Sequence, residues 1–271
     1  MSNADIRTIP AHTSLIELVF PQHTNHHGTL FGGQALSYMD KAAFIAGSRF
    51  SRRSMVTASS EKIDFHAPAY KGQIIELIAE PVASGRRSLT VEVSLIAENL
   101  LNGVRTICTR GRFVLVTCDK PEIEPGLPKI ASDAASTDKE KWLQPSTETR
   151  MSEIIFPDKT NHYGTLFGGD AIAWMGKAAF VAATRYSRKV VVMAASERVD
   201  FKEPVQEGSL IEMVACVIDV GNSSMTVSVS MFCENLLTGE RKLATKGSFI
   251  MVALDSNHKP CSVSLNNCHG V

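Results

Sequence analysis

The sequence predicts an α+β protein made of two copies of one strand–helix–four-strand unit, and two observations carry this prediction. First, the segment FPQHTNHHGTLFGGQALSYMDKAAF, which starts at Phe20, recurs as FPDKTNHYGTLFGGDAIAWMGKAAF from Phe156. The correspondence holds without a gap to Val116 and Val252, and about half of the positions are identical. Second, each copy shows a short alternating strand pattern, then a helical period, then four β-rich stretches.

The elements of the first copy follow in order along the chain. Residues 14–20 alternate as a short strand that a proline ends. Residues 33–49 are alanine-rich with a helical period, and 55–65, 74–82, 88–97 and 104–116 are β-rich stretches separated by turns. This is the element order of a hotdog domain, in which a twisted antiparallel sheet wraps one long helix. Because an exposed sheet edge needs protection, we expect a tandem double hotdog whose copies share a sheet around two long helices packed near each other.

The domain boundaries follow from the repeat and from composition. We expect hotdog domains at residues 13–117 and 149–254, joined by a linker at 118–148. The linker is rich in proline, small polar and charged residues, with a short helical piece near Trp142. Residues 255–271 form a polar, weakly patterned tail. The two domains should pack as one intimate unit.

Composition excludes several classes of function. Lys plus Arg and Asp plus Glu number 28 each, so no overall basic field favours nucleic acid. The six cysteines form no CxxC pair, which favours a reduced, cytoplasmic setting. No stretch approaches the roughly 18 apolar residues of a membrane span, and the N-terminus lacks the apolar core of a signal peptide.

One acidic residue stands out on the first helix. A helical wheel places Asp40 in the middle of the apolar stripe, beside Leu36 and Gly47, with Ser48 on the polar side. A carboxylate there is costly unless it is paired or used; the alternatives are a buried hydrogen-bond network or a frayed helix end. The second copy has Gly176 instead, although glycine within a helix costs about 1 kcal/mol relative to alanine. A carboxylate that the second copy does without favours function over folding.

The loop before each helix offers complementary chemistry. Gly32-Gly33 and Gly168-Gly169 open the helices, where free backbone N–H groups and the helix dipole favour a developing negative charge. The oxyanion of acyl transfer needs this arrangement. The alternative is a turn that requires glycine for its positive φ.

The motifs TNHHGTLFGGQALSYMDKAA and TNHYGTLFGGDAIAWMGKAA, followed by VTASSEKIDFHAP and VMAASERVDFKEP, resemble the acyl-CoA thioester hydrolase family of hotdog proteins. The tandem arrangement resembles the double-hotdog branch, which includes the brain-type cytosolic acyl-CoA hydrolases. The resemblance implies hydrolysis of fatty acyl-CoA to free fatty acid and CoA, without a cofactor other than the CoA of the substrate. It also implies a homo-oligomer, a trimer of double-hotdog chains. The chain departs from many related thioesterases, which have His where it has Phe31 and Phe167.

The resemblance also implies roles for individual residues. Asp40 would act as general base on water or as nucleophile on the thioester carbon. The backbone N–H groups near Gly33 and Gln34 would polarise the carbonyl. Since the family's active site lies between paired hotdog units, Asn161 of the second copy would face Asp40.

The matching arrangement would be a degenerate second site, in which Asn25 faces Gly176, so we expect one active site per pair of domains. Arginine binds phosphate through bidentate, charge-assisted hydrogen bonds, and CoA is rich in phosphate. A turn that carries two arginines is therefore a candidate CoA contact, although a solvated turn is the alternative. The candidate contacts for substrate and CoA are Asn25, His162, Arg86, Arg87 and, at the matching turn of the second copy, Asn222 and Ser223.

Other carboxylates and histidines give weaker signals. Glu61 and Asp64 should point to opposite sides of one strand, either as a contact to the site or as solvated carboxylates. Of three histidines in the first loop, the second copy repeats His26 as His162, and no cysteine or acid stands at ligand spacing, so we expect no metal. Two other function classes stay open: a hotdog hydratase or dehydratase, and a non-catalytic acyl-CoA sensor that would not require Asp40.

Overall fold

The computed structural model describes residues 12–118, 126–130, 148–197 and 199–263, and it shows the same unit twice. The helix expected near Trp142 lies outside the described residues. A single turn of 3-10 helix, Pro21–His23 and Pro157–Lys159, precedes each long helix. The first copy contains β1 (Thr13–Leu18), α1 (Gly32–Ser51), β2 (Met55–Ser60), β3 (Asp64–Phe65), β4 (Ile74–Ser84), β5 (Ser88–Glu98) and β6 (Arg105–Thr117). The second copy contains β7 (Thr149–Ile154), α2 (Gly168–Ser187), β8 (Val190–Ser196), β9 (Asp200–Phe201), β10 (Leu210–Val220), β11 (Ser224–Glu234) and β12 (Arg241–Leu254).

Each copy folds its strands into a curled antiparallel sheet against its own helix. The first sheet has the order β1-β4-β5-β6-β2 with β3 paired to β6, and the second has the order β7-β10-β11-β12-β8 with β9 paired to β12. The tandem double-hotdog prediction is confirmed. The stretch 55–65 is not one strand, because the chain leaves the sheet between β2 and β3 at residues 61–63. No helix in the described ranges is both long and apolar enough to cross a membrane.

The two copies meet at their edge strands. Among the described residues the backbone ladders form two sheets rather than the one shared sheet that we expected, and β1 of the first contacts β7 of the second. Each helix makes its main contacts with its own sheet, so the copies join through the edge strands rather than through helix-on-helix packing. Apolar side chains cross the boundary: Ile16 and Ile74 pack in the core of the second copy, and Ile154 and Leu210 pack in the core of the first. Burial of apolar surface therefore holds the pair together as one unit.

Arginines at the end of α1 reach buried glutamates of the second copy. Arg49 Nη2 lies 2.7 Å from Glu234 Oε2 and 3.3 Å from Glu212 Oε1, and Arg52 Nη1 lies 2.7 Å from Glu234 Oε1. The side chain of Glu234 is completely buried. A buried carboxylate is stable only when its charge and lone pairs are satisfied, so the fold of the second copy depends on arginines from the first.

The reverse set joins α2 to the first copy. Arg185 Nη2 lies 2.8 Å from both Glu76 Oε2 and Glu98 Oε2, and Arg188 Nη1 lies 2.8 Å from Glu98 Oε1. Burial acts to raise the pKa of Glu98, but the guanidinium groups of Arg185, Arg188 and Arg105 outweigh burial and hold that pKa below its ordinary value of 4.5. The pKa of Glu76 is lowered in the same way, by Arg185 and Arg105 against the effect of burial.

The residues that end the two helices show how much the cross-copy pairs matter. Arg52 and Arg188 both have left-handed backbones, with φ of 54° and 52°, a conformation that costs roughly 1–2 kcal/mol for a residue with a side chain. Their guanidinium groups pack over Gly239 and Gly103, which lie in turns of the opposite copy and have no Cβ to obstruct them. An arginine in place of the usual glycine at this helix end is explained by its ion pair with the other copy.

The segments that follow β6 and β12 close the two cores in the same manner. Leu127 N donates to Arg86 O at 3.1 Å, Val263 N donates to Asn222 O at 2.8 Å, and both apolar side chains are buried. Val263, in the segment that we expected to form a polar tail, is thus part of the core of the second copy.

We expect a single substitution in the buried arginine–glutamate network to cause a large loss of stability. Glu98→Gln removes the counter-charge of Arg188 and leaves Arg185 and Arg105 with Glu76 alone, and breaking a buried ion pair costs about 3–5 kcal/mol. Denaturant unfolding measures the free energy of unfolding. Glu92→Gln is the matched control on the same strand, because Glu92 pairs with Arg112 at the surface and exposed pairs contribute about 0–1 kcal/mol. Equal losses in the two variants would contradict the role of the network.

The lowered pKa values of Glu76 and Glu98 also set a pH dependence. A carboxyl whose pKa is lower in the folded than in the unfolded state stabilises the fold above its unfolded pKa, and this contribution is lost as the pH falls through the folded value. The free energy of unfolding should therefore fall as the pH drops below 4.5. Glu98→Gln should flatten this decline, and an unchanged decline would argue against the assignment.

Candidate active site

Asp40 lies half-buried on α1 and has a defined partner. Its Oδ1 accepts a hydrogen bond from Thr57 Oγ1 on β2 at 2.7 Å. The expectation that Asp40 sits in the middle of the buried face is wrong, because Leu36 is 38% exposed whereas Ser48, expected on the polar side, is 2% exposed. The curled sheet encloses a wider arc of α1 than one stripe, and this leaves Asp40 at its border. The carboxylate is both positioned by the protein and reachable from solvent.

The second copy has lost both members of this pair. Gly176 stands in place of Asp40, and Met193 in place of Thr57. A methyl group built on Gly176 would lie 2.7 Å from the Cε of Met193, so this side chain fills the space beside the helix. The sequence analysis missed Thr57, although a signal was present: the threonine and the aspartate are replaced together between the copies.

The N-terminus of α1 offers unused backbone donors. Phe31 precedes the helix without a side-chain cap, and Ala35 N donates the first helical hydrogen bond to Phe31 O at 3.0 Å. The N–H groups of Gly32, Gly33 and Gln34 come before that bond, so they have no acceptor within the helix. Neither glycine has a positive φ. A Cβ on Gly33 would lie 2.7 Å from the ring of Phe31, so close packing, rather than a left-handed turn, requires glycine here.

The side chain of Gln34 is engaged elsewhere, so its backbone N–H is the group it can offer to a ligand. The side chain hydrogen-bonds the hydroxyl of Tyr38, which also lies 3.4 Å from His23 Nδ1. Burial, with the charges of Glu17 and Glu153, raises the pKa of Tyr38 to about 12, although the bond to Gln34 acts in the opposite direction. The phenol therefore stays protonated at neutral pH.

The two loop asparagines both order their own loops, yet their contacts differ. Asn25 Nδ2 donates to Thr29 Oγ1 at 2.9 Å, and its Oδ1 also accepts bonds from the loop. Asn161 Oδ1 accepts Thr165 Oγ1 at 3.1 Å, whereas its Nδ2 donates to nothing among the described residues. Within the described residues, no hydrogen bond joins Asp40 to Asn161. The amide donors of Asn161 are thus available to a ligand.

An ion pair beside Asp40 links α1 to the strand that precedes the Asn161 loop. Lys41 Nζ lies 2.9 Å from Glu153 Oε1 on β7, and Lys177 of α2 pairs with Glu17 on β1 in the reverse direction. Strand β7 ends at Ile154 and leads directly into the loop. Each helix is therefore fastened to the edge strand of the other copy near its site residues.

The residues that we predicted to contact CoA lie in two matching turns, of which the first is near the C-terminal end of α1. In both turns these residues make hydrogen bonds to the backbone. Arg87 Nη2 donates to Thr117 O at 3.1 Å, and the carbonyl groups of Arg86, Asn222 and Ser223 accept backbone N–H groups of segments that cross the two turns. The first turn lies beside the start of β2, where α1 has just ended. Its role as a CoA contact stays a prediction.

The remaining polar candidates are at the surface. His162 is exposed with its ring 3.9 Å from that of Tyr163, and Asp64 Oδ2 lies 3.0 Å from Lys62 Nζ. Glu61 is exposed between β2 and β3. Among the described residues, no three His, Cys, Asp or Glu side chains gather where they could hold a metal ion.

A cavity lies under the N-terminus of each helix. The first has a volume of about 320 Å³ and is bounded by Gly32 and Ala35 of α1, Phe65 of β3 and Leu95 and Cys108 of the sheet. The second, about 270 Å³, lies at the matching place under α2. Each copy therefore combines unused helix N–H groups with an adjoining cavity, but the first copy has a carboxylate as well.

The comparison with protein families matches this architecture in both copies. The model of the thioesterase superfamily matches residues 27–103 and again residues 163–240. The chain belongs to the thioesterase superfamily. Each match includes the GG motif and the helix that follows it.

Known members of the superfamily resemble this chain over different lengths. A crystal structure of an acyl-CoA hydrolase from Agrobacterium tumefaciens is 48% identical, with a TM-score of 0.82, and the alignment covers 93% of this chain and 98% of that one. The uncharacterized acyl-CoA thioester hydrolase YkhA of Bacillus subtilis is 40% identical over 40% of this chain and 63% of its own length. The cytosolic acyl coenzyme A thioester hydrolase of Rattus norvegicus is 22% identical over 90% of this chain and 74% of its own. The chain spans about half to two thirds of the length of the first curated relatives that it matches.

Proposed function

We propose that this thioesterase-superfamily protein hydrolyses fatty acyl-CoA to free fatty acid and CoA, with its single reaction centre at Asp40. The observation that carries the proposal is the pair Asp40–Thr57 on an α1 whose N-terminal N–H groups are unused, set against Gly176 and Met193 in the second copy. A fold that tolerates the loss of this pair does not need it for stability. The names of relatives, which are acyl-CoA hydrolases, agree with this chemistry.

The chemistry places each group in a role. The N–H groups of Gly33 and Gln34 hydrogen-bond the thioester oxygen, which gains negative charge as the carbonyl carbon becomes tetrahedral. As general base, Asp40 takes a proton from a water molecule whose oxygen bonds to that carbon; the C–S bond then breaks, and the CoA thiolate takes up the proton as the fatty acid is released. As nucleophile, Asp40 displaces the CoA thiolate and forms an anhydride that water then hydrolyses. Thr57 holds the carboxylate in position by either route, and the step draws on no metal or cofactor other than the CoA of the substrate.

The loop of the second copy completes the centre. Lys41, next to Asp40, is ion-paired to Glu153 on the strand that leads to Asn161, and the free Nδ2 donors of Asn161 suit a water molecule or the substrate. Asn25 would meet Gly176 in the mirrored arrangement, where no carboxylate is present. One centre per chain follows from this pairing.

Removing the carboxylate tests the assignment of Asp40. Asp40→Asn keeps the size of the side chain and its capacity to accept from Thr57 but removes the base, and general-base catalysis contributes about 10²–10⁴-fold. We expect kcat on a panel of short-chain and long-chain acyl-CoA substrates to fall by that factor while Tm holds or rises. Turnover at the wild-type rate would refute the assignment.

The role of Thr57 is tested by a substitution on β2, with a substitution at the matching position of β8 as the control. Thr57→Val removes a hydrogen bond to a charged group, which contributes about 1.5–3 kcal/mol, or 10–100-fold in kcat. Met193→Thr changes the matching residue in the second copy and should leave kcat unaltered. If both changed kcat equally, the centre would not be confined to the first copy.

The pairing across copies predicts that two near-identical loops differ in importance. Asn161→Ala should lower kcat by about 10²–10³-fold, as losing a positioned donor at a reacting centre does, whereas Asn25→Ala should leave it near wild type. Both asparagines accept hydrogen bonds from their own loops, so melting curves should show similar losses of stability. Equal losses of kcat would mean two working sites or a site within one copy, and a larger loss at Asn25 would reverse the pairing.

We also infer that the chain forms a homo-oligomer, a trimer of chains. A location in the cytoplasm agrees with the name of the rat relative, which is called cytosolic. Both copies expose apolar side chains at matching positions along α1–β2 and α2–β8: Phe31 and Phe167, Leu36 and Ile172, Val56 and Val192, Phe65 and Phe201. Apolar residues repeated along an exposed edge strand indicate a contact with another chain. Sedimentation equilibrium should give a mass near three times 29.5 kDa; a value for one chain would refute the assembly.

A further inference from the structure

The cavity under the N-terminus of α1 has the composition of a pocket for a hydrocarbon chain. Leu95 and Cys108 form its floor, at 1% and 2% exposure, Ala35 bounds it on the helix side and Phe65 stands half-exposed at its rim. Burial raises the pKa of the Cys108 thiol, so this side chain remains neutral and behaves as a small apolar group. Thr29 and His66 also line the cavity; Thr29 is partly buried and His66 is exposed.

The cavity begins where the proposed chemistry takes place. Gly32, the first residue of α1, lines it, and the N–H groups that would hold the thioester oxygen belong to the same turn. A substrate whose carbonyl oxygen is bound by this turn therefore has the cavity beside its carbonyl carbon. The acyl chain, rather than the polar CoA moiety, is the part of the substrate that suits an apolar space.

We infer that this cavity holds the acyl chain and that its floor at Leu95 and Cys108 sets the chain length beyond which further carbons add nothing to kcat/KM. The inference rests on the proposed function and adds the chain-length class to it. An apolar cavity of roughly 150 Å³ is enough for benzene. At about 320 Å³, the room is on the order of 12 carbon atoms by the same measure.

The free energy of burying each methylene sets how kcat/KM should depend on chain length. Each buried methylene contributes about 0.8 kcal/mol, which is about fourfold in kcat/KM. Activity should rise by that factor with each added carbon until the cavity is full. Beyond this length, further carbons remain in solvent and contribute little, so the profile should level off.

The second copy provides a matched cavity that differs in its chemistry. There Met231 and Ala244 form the floor, and the charged residues Lys202 and Glu203 stand at the edge. This cavity adjoins α2, which lacks the carboxylate. A change in its floor should leave the chain-length profile as it is, and its alanine shows that the fold accepts a smaller residue at the position of Cys108.

The test is the profile of kcat/KM over saturated acyl-CoA substrates from two to sixteen carbons, measured on the full chain. Cys108→Leu adds bulk to the floor and should lower the ratio of kcat/KM for long substrates to kcat/KM for butyryl-CoA by about 16-fold, the effect of two excluded methylenes. Cys108→Ala should move the levelling-off point to longer chains. Cys108→Val, a smaller step in the same direction, replaces Cys108→Leu if that variant does not fold by circular dichroism. Ala244→Leu is the control in the second cavity.

The outcomes separate the inference from the function it rests on. A profile shortened by Cys108→Leu and lengthened by Cys108→Ala, with Ala244→Leu unchanged, supports the inference. Hydrolysis with a profile that ignores Cys108, or that shifts with Ala244→Leu, overturns it and leaves the proposed function intact. If the wild-type chain hydrolyses none of these substrates, the proposed function fails, and the inference fails with it.

Discussion

The buried arginine–glutamate pairs between the two copies are the constraint on which the rest of the structure depends. Glu98 and Glu234 are completely buried, and each is balanced by arginines from the opposite helix. Glu98 also pairs with Arg105 of its own copy, whereas Glu234 is paired by Arg49 and Arg52 of the first copy, and an unpaired carboxylate in the interior costs several kcal/mol. The two copies are therefore held in one relative position. The proposed pairing of Asp40 with the loop of the second copy requires such a fixed position.

Because the two copies are held in one relative position, one copy can lose its site residues while the fold of the pair is retained. The charged pairs and the loops occur in both copies, whereas the carboxylate and its threonine occur at Asp40 and Thr57 and are replaced by Gly176 and Met193. Met193 is 46% exposed, whereas Gly176 is buried beside it, and neither replacement belongs to the arginine–glutamate network. The second copy can thus serve as the structural partner that presents Asn161, without a centre of its own.

Much of this architecture can be predicted from local patterns, and the remainder depends on distant contacts. The repeat and the alternation of strand and helix periods were enough to predict the tandem fold and to single out Asp40 by comparison with Gly176. The partners of Arg49 and Arg185 lie more than 80 residues away, and no local pattern encodes them. The exposure of Leu36 and the burial of Val263 depend on the curvature of the sheet and on a crossing segment, which periodicity does not describe.

In the proposed active site, a carboxylate of one copy, a loop of the other and the cavity under α1 form one centre. A crystal structure of the Asp40→Asn variant with decanoyl-CoA tests this directly, because the variant should bind the thioester without hydrolysing it. The account predicts the carbonyl oxygen within hydrogen-bond distance of the first-turn N–H groups of α1, Asn161 beside it and the chain ending near Cys108. A thioester bound beside Gly176, or held by residues of a single copy, would contradict it.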